Sequence, residues 1–516
     1  MRRRAPTPSD EPFPVDRRSF LAMAAGAVAS PAVAERILVD PYARIPRVRR
    51  GTPLRVRGRV TSRGRGVAGV AVSDGLAVVR TDREGRYEIP SSSDRDFVRV
   101  SVPPGYRIPR NATGTARFYH PLAADGRRDV QAAFELERLD GDDARHAFLL
   151  LPDVQTEDPW EMDRFHEQTV PDVQATVRAL GDRAAFGVAC GDIMFDDLSL
   201  YPEYERGVER MGIPFFQVVG NHDLDQEGRT DEASTATFSR HFGPRYYSFD
   251  RGAVHYVVLD DVFWFGTGYL GYLDRDQLAW LEADLALVEP GRPVVVCLHI
   301  PVLGTQHLRR FESRPGQAAS VNNREALARV LEAYPAHVLS GHTHENDHNR
   351  EMGFHEHVSG TVCGAWWSGP ICGDGTPNGY SVYEIDGEEV RWRYKGTGLP
   401  ADHQLRAYLP GSDPRAPQEL VANVWDADDG WSVTWYEDGE RKGLMARRVG
   451  ADPVSLVIHP GDQLPPRRPW VDPYPRYLFY APVSASAREV RVEATDRFGR
   501  TYSAVAGPVP EDMKPW

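Results

Sequence analysis

No apolar run in the 516 residues reaches the roughly eighteen that a membrane-spanning helix needs, which excludes a multi-pass membrane protein. Cysteine is scarce, with four residues in the whole chain, so covalent staples do not organise the fold. The sequence has no G-x-S-x-G elbow and no G-x-x-x-x-G-K-S/T loop, so the usual signatures of serine hydrolases and P-loop nucleotide hydrolases are missing. Internal repeats and low-complexity tracts are absent too, which disfavours a solenoid or propeller. Positive charge is in deficit: the formal charge is -13 and the one basic cluster lies near the N-terminus, against a long nucleic acid as partner. What is present is an ordinary globular composition of 41% hydrophobic and 26% charged residues, long enough for three or four domains at roughly 150 residues each.

The first 34 residues read as a targeting segment. Arg17-Arg18-Ser19-Phe20-Leu21 precedes a weakly apolar run from Ala22 to Ala29, and Ala32-Val33-Ala34 offers the small residues that a signal peptidase needs. The segment resembles a twin-arginine export signal, with Asp16 where that pattern prefers Ser or Thr. The resemblance implies that the precursor meets the twin-arginine export machinery, that the protein is periplasmic or otherwise extracytoplasmic, and that a cofactor is loaded before export. A disordered basic tail is the alternative.

Three rhythms follow. Residues 35–142 show short alternating runs such as Val67-Ala68-Gly69-Val70-Ala71-Val72, broken by turn residues, and predict a small N-terminal β domain similar to Ig-like or transthyretin-like modules. Gly64-Arg65-Gly66-Val67-Ala68-Gly69 spells the dinucleotide-binding glycine pattern, but the residues after it are strand-like and offer no helix N-terminus to a pyrophosphate. Residues 143–400 alternate apolar strands with helical stretches, which predicts an α/β layered domain with its polar chemistry in the loops after the strands. Residues 401–516 return to β rhythm and predict a C-terminal β-sandwich. Cys190 and Cys297 sit in apolar strand-like runs as inert core residues. Cys363 and Cys372, in a Gly/Pro/Trp-rich loop, could pair in an oxidising compartment or stay as thiols.

The middle segment repeats one arrangement, an apolar strand that stops at a tight turn bearing a metal-type ligand. The turns are Pro152-Asp153-Val154-Gln155, Gly191-Asp192, Gly220-Asn221-His222-Asp223, a lone His299, and Gly341-His342-Thr343-His344. Carboxylate, amide and imidazole groups delivered from five strand ends can converge on one rim of a sheet and bind divalent cations.

This order of turns resembles the calcineurin-like metallophosphoesterase family, whose pattern is D-x-H, G-D, G-N-H-D/E, H and G-H-x-H. The flanking β segments resemble those of an exported bacterial branch. The resemblance implies a four-layer α/β/β/α sandwich between two β-sandwich domains. It also implies two divalent metal ions, of Mn, Fe, Zn or Mg, with Asp192 bridging, Asp153 and His344 at the first, and Asn221, His299 and His342 at the second. Gln155 replaces the usual first-site histidine. Its amide oxygen is a weaker donor than imidazole and tilts that site toward harder ions such as Mn²⁺ or Mg²⁺. The D-x-Q form resembles that of a subgroup acting on phosphoproteins.

Such a centre would hydrolyse a small phosphoester, the ions acidifying a shared water that attacks in line. By the same resemblance His222 assists the leaving group and Asp223 orients it. A phosphomonoesterase is favoured; a cyclic-nucleotide or glycerophosphodiester phosphodiesterase and a noncatalytic envelope-binding protein are the alternatives. Asp196 is a candidate supporting group, and His348, His355 and His357 fall outside the predicted ligand set. His344-Glu345-Asn346-Asp347-His348 spells H-E-x-x-H, but that zinc-peptidase pattern works only on a helix, and Asn-Asp is poor helix material. The aromatic loops Phe263-Trp264-Phe265 and Trp366-Trp367 are either core or an apolar wall for a leaving group.

Overall fold

The structure is a computed structural model that describes residues 51–122, 128–459, 464, 468 and 471–516. The export segment expected at residues 1–34 lies outside the described residues. None of the described helices is long and apolar enough to cross a membrane.

Two sheets stacked face to face form the centre. One runs Phe215–Val218, Ala184–Cys190, Arg145–Leu151, Gly379–Asp386, Glu389–Gly396, with the first three strands parallel and the last two antiparallel. The other runs Tyr247–Arg251, Val254–Val258, Val294–Cys297, Ala336–Ser340, His355–Val358, Asp347–Asn349. Successive side chains of a strand point to opposite faces. Phe148 and Leu150 therefore enter the inter-sheet core with Phe186, Tyr256, Val295 and Leu339, while Leu149 and Leu151 pack outward among Met162, Phe165, Val170, Tyr201 and Val208. Those outer residues belong to the helices Pro159–Arg164, Val170–Ala179 and Tyr201–Met211 and the turn between the first two. The first begins where the Asp158 carboxylate accepts from the amide of Glu161 and Pro159 presets the helical φ.

The N-terminal domain holds a five-stranded and a four-stranded sheet. The glycine pattern at residues 64–69 lies in a turn and a two-residue strand, with no helix after it. This domain also covers an exposed edge of the core: the amide of Ala116 donates to Phe215 O at 2.8 Å and that of Phe215 to Gly114 O at 3.1 Å. The C-terminal domain packs two four-stranded sheets over Leu420, Val424, Val433, Val490 and Val492. All four cysteines are free and buried, so Cys363 and Cys372 do not pair; Thr361 Oγ1 lies 3.8 Å from each sulfur.

Candidate dinuclear metal centre

Each site turn follows directly on the C-terminal end of a strand, and the first three of those strands are parallel neighbours. The side chains reach the rim because the backbone there is bent into the left-handed region, with φ of 50° at Asp153, 47° at Gln155, 49° at Asp192, 68° at His342 and 53° at His344. Each such non-glycine residue costs roughly 1–3 kcal/mol, and a concentration of them marks a place where geometry is held for function. Glycines before the ligands allow the turns to close on one another. A Cβ on Gly191 would lie 2.2 Å from the His299 ring, and one on Gly341 would lie 2.3 Å from the Asp153 carboxylate.

Around His299 Nε2 stand three further acceptor atoms: His342 Nδ1 and Asn221 Oδ1 at 3.2 Å and Asp192 Oδ1 at 3.3 Å. The outer ring nitrogens are already committed, His299 Nδ1 to Cys190 O at 3.0 Å and His342 Nε2 to Ala318 O at 3.0 Å. Both rings thus turn a lone pair inward when neutral. A single proton on His299 satisfies one of these contacts, whereas a divalent cation satisfies all four atoms. The two imidazoles also split in basicity. Burial pulls His299 down, but the charge of Asp192 and its hydrogen bond outweigh that and hold it up at about 10. Burial and the neighbouring His299 push His342 down to about 4.

The adjoining position has the same logic. His344 Nδ1 is held by Gly364 O at 2.5 Å, which turns Nε2 toward Asp153 Oδ1 at 3.4 Å. That carboxylate oxygen is buried and has no hydrogen-bond partner, while its mate Oδ2 accepts from the amide of His342 at 2.9 Å. An orphaned buried carboxylate oxygen facing an imidazole lone pair fits a cation site. Asp192 is shared by both halves: Oδ1 faces His299, and Oδ2 accepts from Gln155 Nε2 at 2.9 Å. The donor set therefore fits a divalent-metal site built around Asp192.

Gln155 does not present its oxygen to this cluster. Its Oε1 points to Cys363 Sγ at 3.5 Å, and ligation would require the amide to turn over. The buried Cys363 Sγ also lies 3.6 Å from His344 Nδ1, so this thiol, read from sequence as a loop cysteine, lines the centre. Gln155→His is expected to raise affinity for Zn²⁺ at the Asp153–His344 position by about 10-fold or more, since imidazole is a stronger donor to that ion than an amide. Competition with a chromophoric chelator reads this directly; an unchanged zinc affinity would remove Gln155 from the first site.

The structure separates the roles expected for the G-N-H-D turn. The amide of His222 donates to Asp192 Oδ1 at 2.8 Å while its ring points out of the cluster, stacked on Phe195 at 4.2 Å. Asp223 does not orient that ring. Its carboxylate accepts from the amides of Ile193 and Met194 at 3.1 Å and Gly220 at 2.9 Å, and from the Tyr201 hydroxyl at 3.0 Å. It clasps the Asp192 turn to the Asn221 turn, and burial together with the charge of Asp192 raises it to about 7. The partner of His222 Nδ1 is Asp196 Oδ1 at 2.9 Å. A second clasp, absent from the sequence reading, is Asp261, which accepts from the amides of His299 and Ile300 at 3.0 and 3.1 Å. Its only sequence signal is its place just past the strand Val254–Val258.

The family described as calcineurin-like phosphoesterase matches residues 147–346, that described as its N-terminal region matches 54–139, and that described as its C-terminal region matches 356–502. The chain belongs to the calcineurin-like phosphoesterases. Its α/β core is flanked by N- and C-terminal β-sheet domains. Among curated relatives, serine/threonine-protein phosphatase CPPED1 of Bos taurus is 29% identical over 201 residues, covering 37% of this chain and 61% of that one. The Danio rerio protein of that name is 29% identical over 251 residues, 45% of this chain and 75% of that one. Purple acid phosphatase 15 of Arabidopsis thaliana is 27% identical over 154 residues, 27% of this chain and 26% of that one. The chain thus spans about three fifths of the length of the first of these relatives. Among solved structures, purple acid phosphatase PPD1 from Lupinus luteus aligns with 63% of this chain and 67% of its own at 12% identity and a TM-score of 0.36.

Beyond the ligands, the walls of this phosphoesterase centre come from several segments. Trp366 stacks on His344 at 4.5 Å, and Tyr269 meets the His342 ring edge-on at 6.2 Å. Phe263, Trp264 and Phe265 instead line a cleft shared with Arg95, Arg99 and Tyr246. From the C-terminal domain, Arg468 lies over the Phe195 ring at 4.6 Å, with Nη1 2.7 Å from Glu157 and Nε donating to Trp366 O at 3.2 Å. It ties the ring beneath His222 to the ring on His344. The H-E-x-x-H string is not helical, and its Glu345 is buried against Arg309.

Proposed function

We propose that this phosphoesterase is a phosphomonoesterase for small phosphate esters, in which His222 protonates the leaving group, and that its precursor is exported by the twin-arginine route. The observation that carries the catalytic reading is the contrast between His222 and its neighbours. Its side chain is 25% exposed beside the almost fully buried Asp192 and His299, and Asp196 fixes its Nδ1 so that Nε2 faces outward. Two divalent ions, when bound, supply an acidified water and a positive field for the phosphoryl oxygens. The chain's own residues do the rest. Asp153, Asp192, Asn221, His299, His342 and His344 hold those charges, Asp223 and Asp261 fix the turns, and His222 carries a proton to the departing oxygen. The relatives' names, all phosphatases, support the monoester over the diester.

With Mn²⁺-loaded protein, an aryl phosphate is expected to turn over at least about ten times faster than the matching bis-aryl phosphate, because the second ester group removes the charge that the cations bind. A preference for the diester would overturn the monoester assignment. For export, replacing Arg17 and Arg18 with Lys is expected to leave the precursor in the cytoplasm, read by cell fractionation; undiminished export would reject the twin-arginine route.

A further inference from the structure

At the far end of the strand that delivers His342, the second sheet carries four histidines that the phosphoesterase centre does not use. His337 pairs directly with His355, and His348 pairs directly with His357, across three adjacent strands. His355 and His357 are two residues apart and so share one face of their strand, and all four rings pack on Trp392 at centroid distances between 4.6 and 6.0 Å. One ring nitrogen from each of His337, His355 and His357 lies within 4.8 Å of the others, and His337 Nδ1 is 2.9 Å from His357 Nε2. His355 and His357 are 4% and 2% exposed, packed on Trp392 beside the buried Asp426 and Asp428, with Arg350 and Arg497 at the edge of the cluster.

We propose that His337, His355 and His357 form a second, noncatalytic site for one zinc-class divalent ion, with His348 beside it. An H-x-H pair on one strand with a histidine on the neighbouring strand delivers three nitrogens to one point, the donor set suited to a borderline ion such as Zn²⁺. The outer groups fit. His348 Nε2 donates to the buried Asp426 at 2.8 Å, Asp426 Oδ2 has no hydrogen-bond partner, and the Tyr383 hydroxyl lies 3.4 Å from His357 Nδ1. On binding, each ring's single proton moves to its outer nitrogen, so His355 must release the contact from Arg350 to its Nδ1, a side chain exposed and free to turn to solvent. The competing arrangement is a metal-free relay in which Arg350, His355, His348 and Asp426 are joined by hydrogen bonds alone.

The test uses the full chain with the catalytic ligands disabled, Asp192→Ala with His299→Ala, stripped by chelator and reloaded with equimolar Zn²⁺. The site predicts one retained ion per chain, an X-ray absorption shell of at least three imidazole nitrogens at about 2.0–2.1 Å, and loss of the ion in a further His355→Gln/His357→Gln variant. No retained ion, an oxygen-dominated shell, or retention undiminished by the histidine changes would establish the metal-free relay instead. If the four-fold variant does not fold by circular dichroism, the absorption shell of the folded two-fold variant decides alone. If that variant does not fold either, Zn²⁺ titration of the wild-type protein against its His355→Gln/His357→Gln variant decides, one ion fewer in the variant supporting the site and equal numbers rejecting it. Activity is not the readout, so failure here leaves the phosphoesterase assignment untouched.

Discussion

Asp192→Ala is expected to strip this protein of both catalytic ions and to bring hydrolysis of an aryl phosphate to the background of chelator-treated wild type. Asp192 is 1% exposed, and its two oxygens face different halves of the centre: Oδ1 toward His299 and the His222 amide, Oδ2 toward Gln155. Two cations held on one buried carboxylate would repel each other strongly, and the negative charge of Asp192 would offset that repulsion. Asp192→Asn separates charge from shape, since it preserves the side-chain outline and removes the anion. It should lose the ions as fully as Asp192→Ala. Thermal unfolding gives a second reading, because an ion that binds only the folded chain stabilises it by RT ln(1 + [L]/Kd). Added Mn²⁺ should raise the melting temperature of wild type and leave that of either variant in place. A variant that keeps two ions by elemental analysis and retains its turnover would show that Asp192 is not the shared ligand.

The convergence of Asp153, Asp192, Asn221, His299, His342 and His344 was legible in the sequence because each lies in a short local pattern: a strand, a tight turn and a metal-type side chain. Gly191-Asp192 and Gly341-His342 announce both the bend and the group it delivers, and the structure adds why glycine stands there, against His299 and Asp153. What sequence could not supply is where a carboxylate turns after the backbone has placed it. Asp223 adjoins His222 in the chain, yet its carboxylate folds back onto amides thirty residues earlier, and the ring's partner is Asp196 from another turn. Both acids sit in loops and look alike in one dimension. The same holds for Gln155, whose identity was read but whose amide direction depends on Asp192 and Cys363. In the fold, the apolar strands announced the layers. That Gly379–Asp386 returns to pair antiparallel beside Arg145–Leu151 depends on a contact more than 200 residues distant, which no local rhythm encodes. The histidines at 337, 348, 355 and 357 are separated too irregularly for a motif, and only strand register brings them onto one face.

His222→Ala is expected to leave the metal content at its wild-type value and lower turnover by about 10²- to 10⁴-fold, the range for loss of a positioned general acid. Metal content should hold because the atoms that converge on the ions include the His222 amide's partner but not its ring. The leaving group provides the sharper discrimination. An alkyl phosphate, whose alkoxide needs a proton, should lose the most, and a nitrophenyl phosphate, whose phenolate departs unaided, should lose the least. Asp196→Asn tests the same proton by its pH dependence. Burial pulls the His222 ring down, but the charge of Asp192 and the hydrogen bond to Asp196 outweigh it and hold the ring above the ordinary histidine range. The acid form of a group with a raised pKa persists to higher pH and is lost as pH rises through that value. Removing the Asp196 charge lowers the pKa, so the alkaline limb of the kcat profile should move to lower pH in Asp196→Asn and vanish in His222→Ala. Equal losses for alkyl and nitrophenyl esters, with an unmoved alkaline limb in Asp196→Asn, would take His222 out of leaving-group protonation and leave it as a binding group for the phosphoryl oxygens.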